Sequence, residues 1–210
     1  MSGFSIHSKI PVFFVTVLII VGGLVYWFRW TGPAGDEWKS IIDGDGKGYY
    51  SYYEQIFFSK NFGHAIPDYD HIIKIDDRSL IKYHCGTALV MAPFVLTAYL
   101  LDGLDGDPFG EIYQKSVSVA AVFYLLLGFV FLFMILKHLK IKPLNILISL
   151  ALTLFATNLL VYVVAQPDMS HVYSFAMIPG FLWASQAYIQ NPCRRYTFFS
   201  ALCLGIIYLI

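Results

Sequence analysis

Residues 116–136 read SVSVAAVFYLLLGFVFLFMIL, an uncharged stretch followed at once by Lys137, Lys140 and Lys142. An apolar run of about 20 residues is what a helix needs to cross a hydrocarbon layer about 30 Å thick. Lysines directly behind it mark the cytoplasmic end, because short cytoplasmic loops collect Lys and Arg. Outward from this segment the pattern recurs. Residues 10–28 follow Lys9 and close on Tyr26, Trp27, Phe28 and Trp30, aromatic residues suited to a membrane interface. That run is longer than a secretory leader and has no small-residue cleavage site, so the expectation is an uncleaved anchor. Residues 144–164, residues 172–189 and a run beginning near Thr197 bring the expected crossings to about five. The expected fold class is an all-α polytopic membrane protein with further helices on its outer face. Composition agrees, at 58% hydrophobic, 18% aromatic and 13% charged, far from an ordinary soluble domain.

The net charge of zero conceals a sorting of signs. Thirteen of the fourteen Asp and Glu residues lie between Asp36 and Glu111, and the other is Asp168. Outside residues 29–115, Lys and Arg occur only at Lys9, at Lys137, Lys140 and Lys142, and at Arg194 and Arg195. With those basic sites inside, residues 29–115 form a large first extracytoplasmic loop, and the Asp168 loop emerges on the same side. Gly86–Leu101 is apolar but short, carries Pro93 at its middle, and is flanked by Asp102, Asp105 and Asp107. Counting it as a crossing would invert every later loop, so it is expected to lie on or dip into the outer face; a true span is the alternative. No basic patch argues for nucleic acid. Cys85, Cys193 and Cys203 have neither ligand nor disulfide spacing. Phe198 to Ile210 carries no closing charge or cap, and the expectation is that residues 1–210 are the N-terminal part of one longer transmembrane domain.

Three polar segments carry candidate chemistry. The first is Asp43-Gly44-Asp45-Gly46-Lys47-Gly48-Tyr49-Tyr50. Its glycines permit close backbone approach to a ligand, and its two carboxylates could divide base and orienting roles or share a divalent metal ion. The duller alternative is an acidic turn capping a helix that starts near Tyr49. A calcium hand over 43–54 places Lys47 where an oxygen ligand belongs, which argues against it. The aromatic run that follows suits an interfacial helix. The second segment is Lys82-Tyr83-His84, where cations precede a helix and suit a phosphate, or where Lys82 simply snorkels. The third is Gln166-Pro167-Asp168-Met169-Ser170-His171, in which Asp168 either belongs to the site or caps the next helix.

Taken together, these pieces resemble the membrane-embedded GT-C glycosyltransferases, in the branch of the protein O-mannosyltransferases and aminoarabinose transferases. The matching stretches are 43–50, then Tyr83-His84-Cys85-Gly86 leading to Ala92-Pro93-Phe94, then 166–171. The resemblance implies transfer of a sugar from a polyprenyl-phosphate-linked donor on the outer face of a cell membrane, that of a bacterium. It implies Asp45 as catalytic base with Asp43 as second carboxylate. Donor-phosphate contacts fall to Lys82, His84 and His171, substrate positioning to Tyr49, Tyr50 and Asp168, and any Mg or Mn ion to Asp43 and Asp45. Two departures stand out: Gly46 replaces an acidic residue common after the catalytic Asp, and the basic, double-proline entry to the juxtamembrane helix is missing. A non-enzymatic multi-pass protein, such as a transporter part or a cation- or lipid-binding assembly factor, is the competing class.

Overall fold

Charge sorting along the chain becomes a physical separation in space. A computed structural model describes residues 6–60, 72–76, 78–103 and 106–210, with eight α-helices among them. α1 (Ile6–Val25) continues as a π-turn over Tyr26–Trp30, and a 3-10 turn covers Glu37–Ser40. α2 (Asp45–Tyr53) runs into a second π-turn, Glu54–Phe58. After a short hairpin come α3 (Gly86–Leu101), α4 (Glu111–His138), α5 (Pro143–Phe155), α6 (Leu159–Val164), α7 (Ser170–Gln190) and α8 (Arg194–Leu209).

α4 is the central strut. At 28 residues it is about 42 Å long, with Glu111 in its first turn and Lys137 and His138 in its last, each complementing the helix dipole. Its buried positions include Val117, Ala120, Ala121, Tyr124, Leu125 and Gly128, the three-to-four spacing of a helix face packed in a bundle. α7 runs parallel beside it: the Tyr124 and Tyr173 rings are 5.3 Å apart, and Gln190 Nε2 lies 2.9 Å from His138 Nε2 at the other end. The helices close tightly at Gly128, where a Cβ would stand 2.5 Å from the Phe175 ring. A residue without a side chain lets the backbones approach there.

Because Tyr124 meets the first turn of α7, the opening dozen residues of α4 project beyond it. α3 covers that projection, running antiparallel: Phe94 packs on Phe123 at 5.3 Å, and Tyr113 donates to Asp102 Oδ2 at 3.1 Å. Tyr53 and Tyr124 donate their hydroxyls to the carbonyls of Ala88 and Val90 in the turns ahead of Pro93. α3 is therefore confined to the half of α4 that begins at Glu111. Of its three flanking acids, Asp105 lies outside the described residues.

One end of the bundle gathers the C-terminal end of α1, α2, α3 and the start of α7. The other carries the α4–α5 and α7–α8 turns with all five of their Lys and Arg residues, joined by the Gln190–His138 contact. Among the described residues two helices, Ile10–Trp30 and Glu111–His138, are long and apolar enough to cross a membrane; Gly86–Leu101 and Pro143–Phe155 are apolar but shorter. The expected single crossing over 144–164 is broken at 156–158. There Thr157 Oγ1 donates to Thr153 O at 2.6 Å and accepts from Leu159 N–H at 3.2 Å, drawing the backbone out of helix.

Two expectations need correction. The chain is not all-α: β1 (Ile72–Ile75) pairs antiparallel with β2 (Arg78–Ile81), Ile72 opposite Ile81, and both isoleucines pack on Tyr52 and Tyr83. Secondly, α2 begins at Asp45 rather than near Tyr49, so Gly46, Lys47 and Gly48 are helical and only Gly44, at φ +50°, uses the freedom of glycine.

A buried amide ties the acidic end to the strut. Gln114, 2% exposed, accepts from Ile42 N–H at 2.6 Å and donates to Lys39 O at 3.2 Å. Gln114→Ala orphans a buried backbone donor and is expected to lower stability by about 2 kcal/mol, read by thermal unfolding in detergent. A loss below about 0.5 kcal/mol would show that this clamp does not hold the segment.

Candidate functional site

The site is built where segments 125 residues apart in sequence meet. Asp43 N–H donates to Asp168 Oδ2 at 2.8 Å. Gly46 packs so closely on Asp168 that a Cβ would lie 1.7 Å from Oδ2. Asp168 is 3% exposed, and burial raises its carboxyl to about 7, against the lowering effect of the Asp43 N–H and of Arg29. It does not cap α7: that helix has Met169 at its N-cap and no side-chain cap hydrogen bond.

Asp43 and Asp45 face different partners. Lys47 Nζ donates to Asp43 Oδ1 at 2.7 Å, and chiefly this bond, with help from the Gly44 N–H, holds the Asp43 carboxyl below its usual range. Asp45 Oδ1 accepts from the Tyr83 hydroxyl, and that bond, more than burial, pushes the Tyr83 phenol up to about 12. Tyr83 is held in place from both sides: its ring sits 5.0 Å from that of Tyr49, and its carbonyl accepts from the Tyr52 hydroxyl at 2.7 Å. The hairpin explains this placement, since β2 ends two residues before Tyr83 and anchors it through Ile81.

The remaining expected residues divide. Tyr49 belongs to the site through its contact with Tyr83. Tyr50 does not reach it: the ring is fully buried and its hydroxyl donates to Pro108 O at 2.7 Å. Lys82 is exposed, with its Nζ 6.0 Å from the centroid of the Tyr83 ring. His84 is exposed, and His171, also exposed, stacks flat on Tyr162 with ring centroids 3.8 Å apart. A divalent ion finds no assembled ligand set here. The two aspartates have separate partners, and among the described residues no three His, Cys, Asp or Glu side chains cluster.

Sequence reasoning missed Arg29. Its guanidinium donates through Nη2 to Ser40 O and acts electrostatically on both Asp168 and Asp43. The available signal was a charged residue inside the aromatic cluster 26–30, where an isolated cation needs a counter-charge. Tyr83 has no role of its own in the sequence pattern, although its phenol is the group that reaches Asp45.

The fold and the site together define a mostly helical chain with two candidate membrane crossings and a carboxylate site at one end. Comparison with protein-family models, with curated proteins and with solved structures finds no match to this chain.

Proposed function

We propose that this chain belongs to a multi-pass membrane glycosyltransferase of the GT-C type, crossing the membrane about five times with its acidic end outward. On this reading a sugar moves from a polyprenyl-phosphate donor to an acceptor hydroxyl at the outer face of a bacterial cytoplasmic membrane. The observation that carries the proposal is the Asp45–Tyr83 contact: a carboxylate at the head of α2 already receives a hydroxyl proton donor, at the junction with the Asp168 loop. An acceptor alcohol would take the position of the phenol, its O–H directed at Asp45. As the acceptor oxygen bonds to the anomeric carbon, its proton passes to the Asp45 carboxylate. The bond from that carbon to the lipid phosphate breaks, the phosphate keeping the electron pair, and configuration inverts. Lys82 supplies positive charge to the leaving phosphate. Asp43, neutralised by Lys47 and fixed to Asp168, shapes the loop rather than sharing the proton.

Transfer from a polyprenyl-phosphate sugar by the full protein in native membranes tests this reading. Asp45→Asn is expected to lower the rate by about 100-fold or more, whereas Tyr83→Phe, which frees Asp45 without removing it, is expected to stay within about tenfold. Full activity in Asp45→Asn overturns the assignment. A non-enzymatic membrane protein is the second reading, favoured by one observation: both Asp43 and Asp45 are satisfied by partners within the chain. Under it, neither substitution changes any transfer rate and Asp45→Asn loosens only the α2–hairpin contact.

A further inference from the structure

The opposite end of the bundle holds a cavity that the transfer chemistry does not use. It has a volume of about 470 Å³ and lies between the last turns of α4 and α7. Phe133, Met134 and Trp183 form an apolar wall, and Lys137, His138 and Lys140 form a basic one. The Trp183 ring is braced against Phe131, 5.6 Å away and tilted by 26°. Lys140 adopts φ +57°, rare for a residue with a side chain. That turn closes α4, with Lys140 N–H donating to Lys137 O at 3.0 Å and Ile141 N–H to Leu136 O at 3.1 Å, and keeps both lysines beside one cavity.

No carboxylate in the described chain answers these charges. After Glu111 the only acidic residue is Asp168, which is committed to the other end. The helix C-termini of α4 and α7 carry partial negative charge, yet the two turns at this end contribute Lys137, Lys140, Lys142, Arg194 and Arg195. That is more cation than two helix ends balance. An anion from outside the chain completes the site, and the apolar wall selects one attached to hydrocarbon.

The geometry points to a binding site for an anionic phospholipid of the cytoplasmic leaflet, its phosphate between Lys137 and Lys140 and its chains against Phe133, Met134 and Trp183. Gln186, which also lines the cavity, offers its side-chain amide to the glycerol or headgroup oxygens, while Gln190 Nε2 is taken by His138 and by Gln186 O. The site rests on the membrane placement under the proposed function and is independent of the sugar-transfer chemistry.

The test uses the full chain purified in neutral detergent, with lipid adducts counted by native mass spectrometry after addition of phosphatidylglycerol or phosphatidylcholine. Phosphatidylglycerol is expected to be retained about tenfold over phosphatidylcholine. The double variant Lys137→Gln/Lys140→Gln is expected to fall to about twofold or less, while Lys142→Gln, outside the cavity, stays within about twofold of the unsubstituted chain. Absence of a preference, or an equal loss in both variants, overturns the site. Displacement of bound lipid by millimolar inorganic phosphate overturns the lipid in favour of a soluble phosphate. Extraction from membranes by alkaline carbonate without detergent would instead mark failure of the membrane placement itself.

Discussion

Gly46→Ala is expected to destabilise the folded chain by about 3 kcal/mol, although alanine is the better helix former by about 1 kcal/mol. Gly46 is the second residue of α2, and a Cβ there would stand 1.7 Å from Asp168 Oδ2 and 2.6 Å from Asp168 Cβ. Atoms that close must separate. Asp168 is buried and held by the Asp43 N–H, so it has no open space to rotate into. Moving it leaves the part-buried Asp43 N–H and the buried Asp168 carboxyl short of partners, and each such loss costs about 1–3 kcal/mol. Local propensity and tertiary contact thus predict opposite signs, which makes the experiment decisive. Denaturant or thermal unfolding in detergent supplies the measurement. The double variant Gly46→Ala/Asp168→Gly, which removes the clashing side chain, is expected to show a favourable coupling of at least about 1 kcal/mol. If Gly46→Ala instead raised stability, the two loops would not meet as described.

That contact was legible in part. Charge placement alone put the 43–50 and 166–171 segments on one side, because sequence displays the sign of every loop and membranes sort loops by sign. It could not show that Asp168 reaches the Asp43 backbone, a tertiary event with no local signature. The helical stretches of α1, α4 and α7 were readable from uncharged length. The break at 156–158 was not, since Thr157 and Asn158 are uncharged and the apolar run resumes directly after them, so competition for backbone hydrogen bonds at Thr157 leaves no charge to mark it. The hairpin escaped because four-residue strands are stabilised by what they pack on, here Tyr52 and Tyr83, and isolated two-stranded ribbons are barely stable. Tyr49 and Tyr50 are adjacent in sequence yet point to different fates, one beside Tyr83 and one into the core. Helix phase decides that, and the phase was unknown while α2 was expected to start four residues later. Gln114 lay outside the motifs because its role comes from burial, and Arg29 because the carboxylates it acts on are brought near it only by the fold.

Stability is expected to fall as pH rises between about 4 and 7, by about 4 kcal/mol from Asp168 alone. Burial sets this carboxyl at about 7 in the folded chain, against about 3.9 for an unperturbed aspartate. Across that window the folded state keeps a proton that the unfolded state has released, so each pH unit costs the folded state about 1.4 kcal/mol. Below the window both states are protonated and above it both are ionised, so the dependence flattens at either side. Arg29 opposes the shift and Asp43 reinforces it, and these are the charges that bear on the group. Asp43 contributes with the opposite sign: its depressed carboxyl stabilises above the unfolded value and loses that contribution only as pH falls below it, outside the Asp168 window. Glu54, raised by burial, shares the sign of Asp168, so the informative quantity is a difference. Asp168→Asn keeps an oxygen for the Asp43 N–H and removes the titration. Its unfolding free energy is expected to run flatter than that of the unsubstituted chain from pH 4 to 7, the two curves diverging as pH rises, with the variant the more stable at pH 8. Parallel curves would mean that Asp168 is ionised throughout and that the junction between the two loops is wetter than its burial implies.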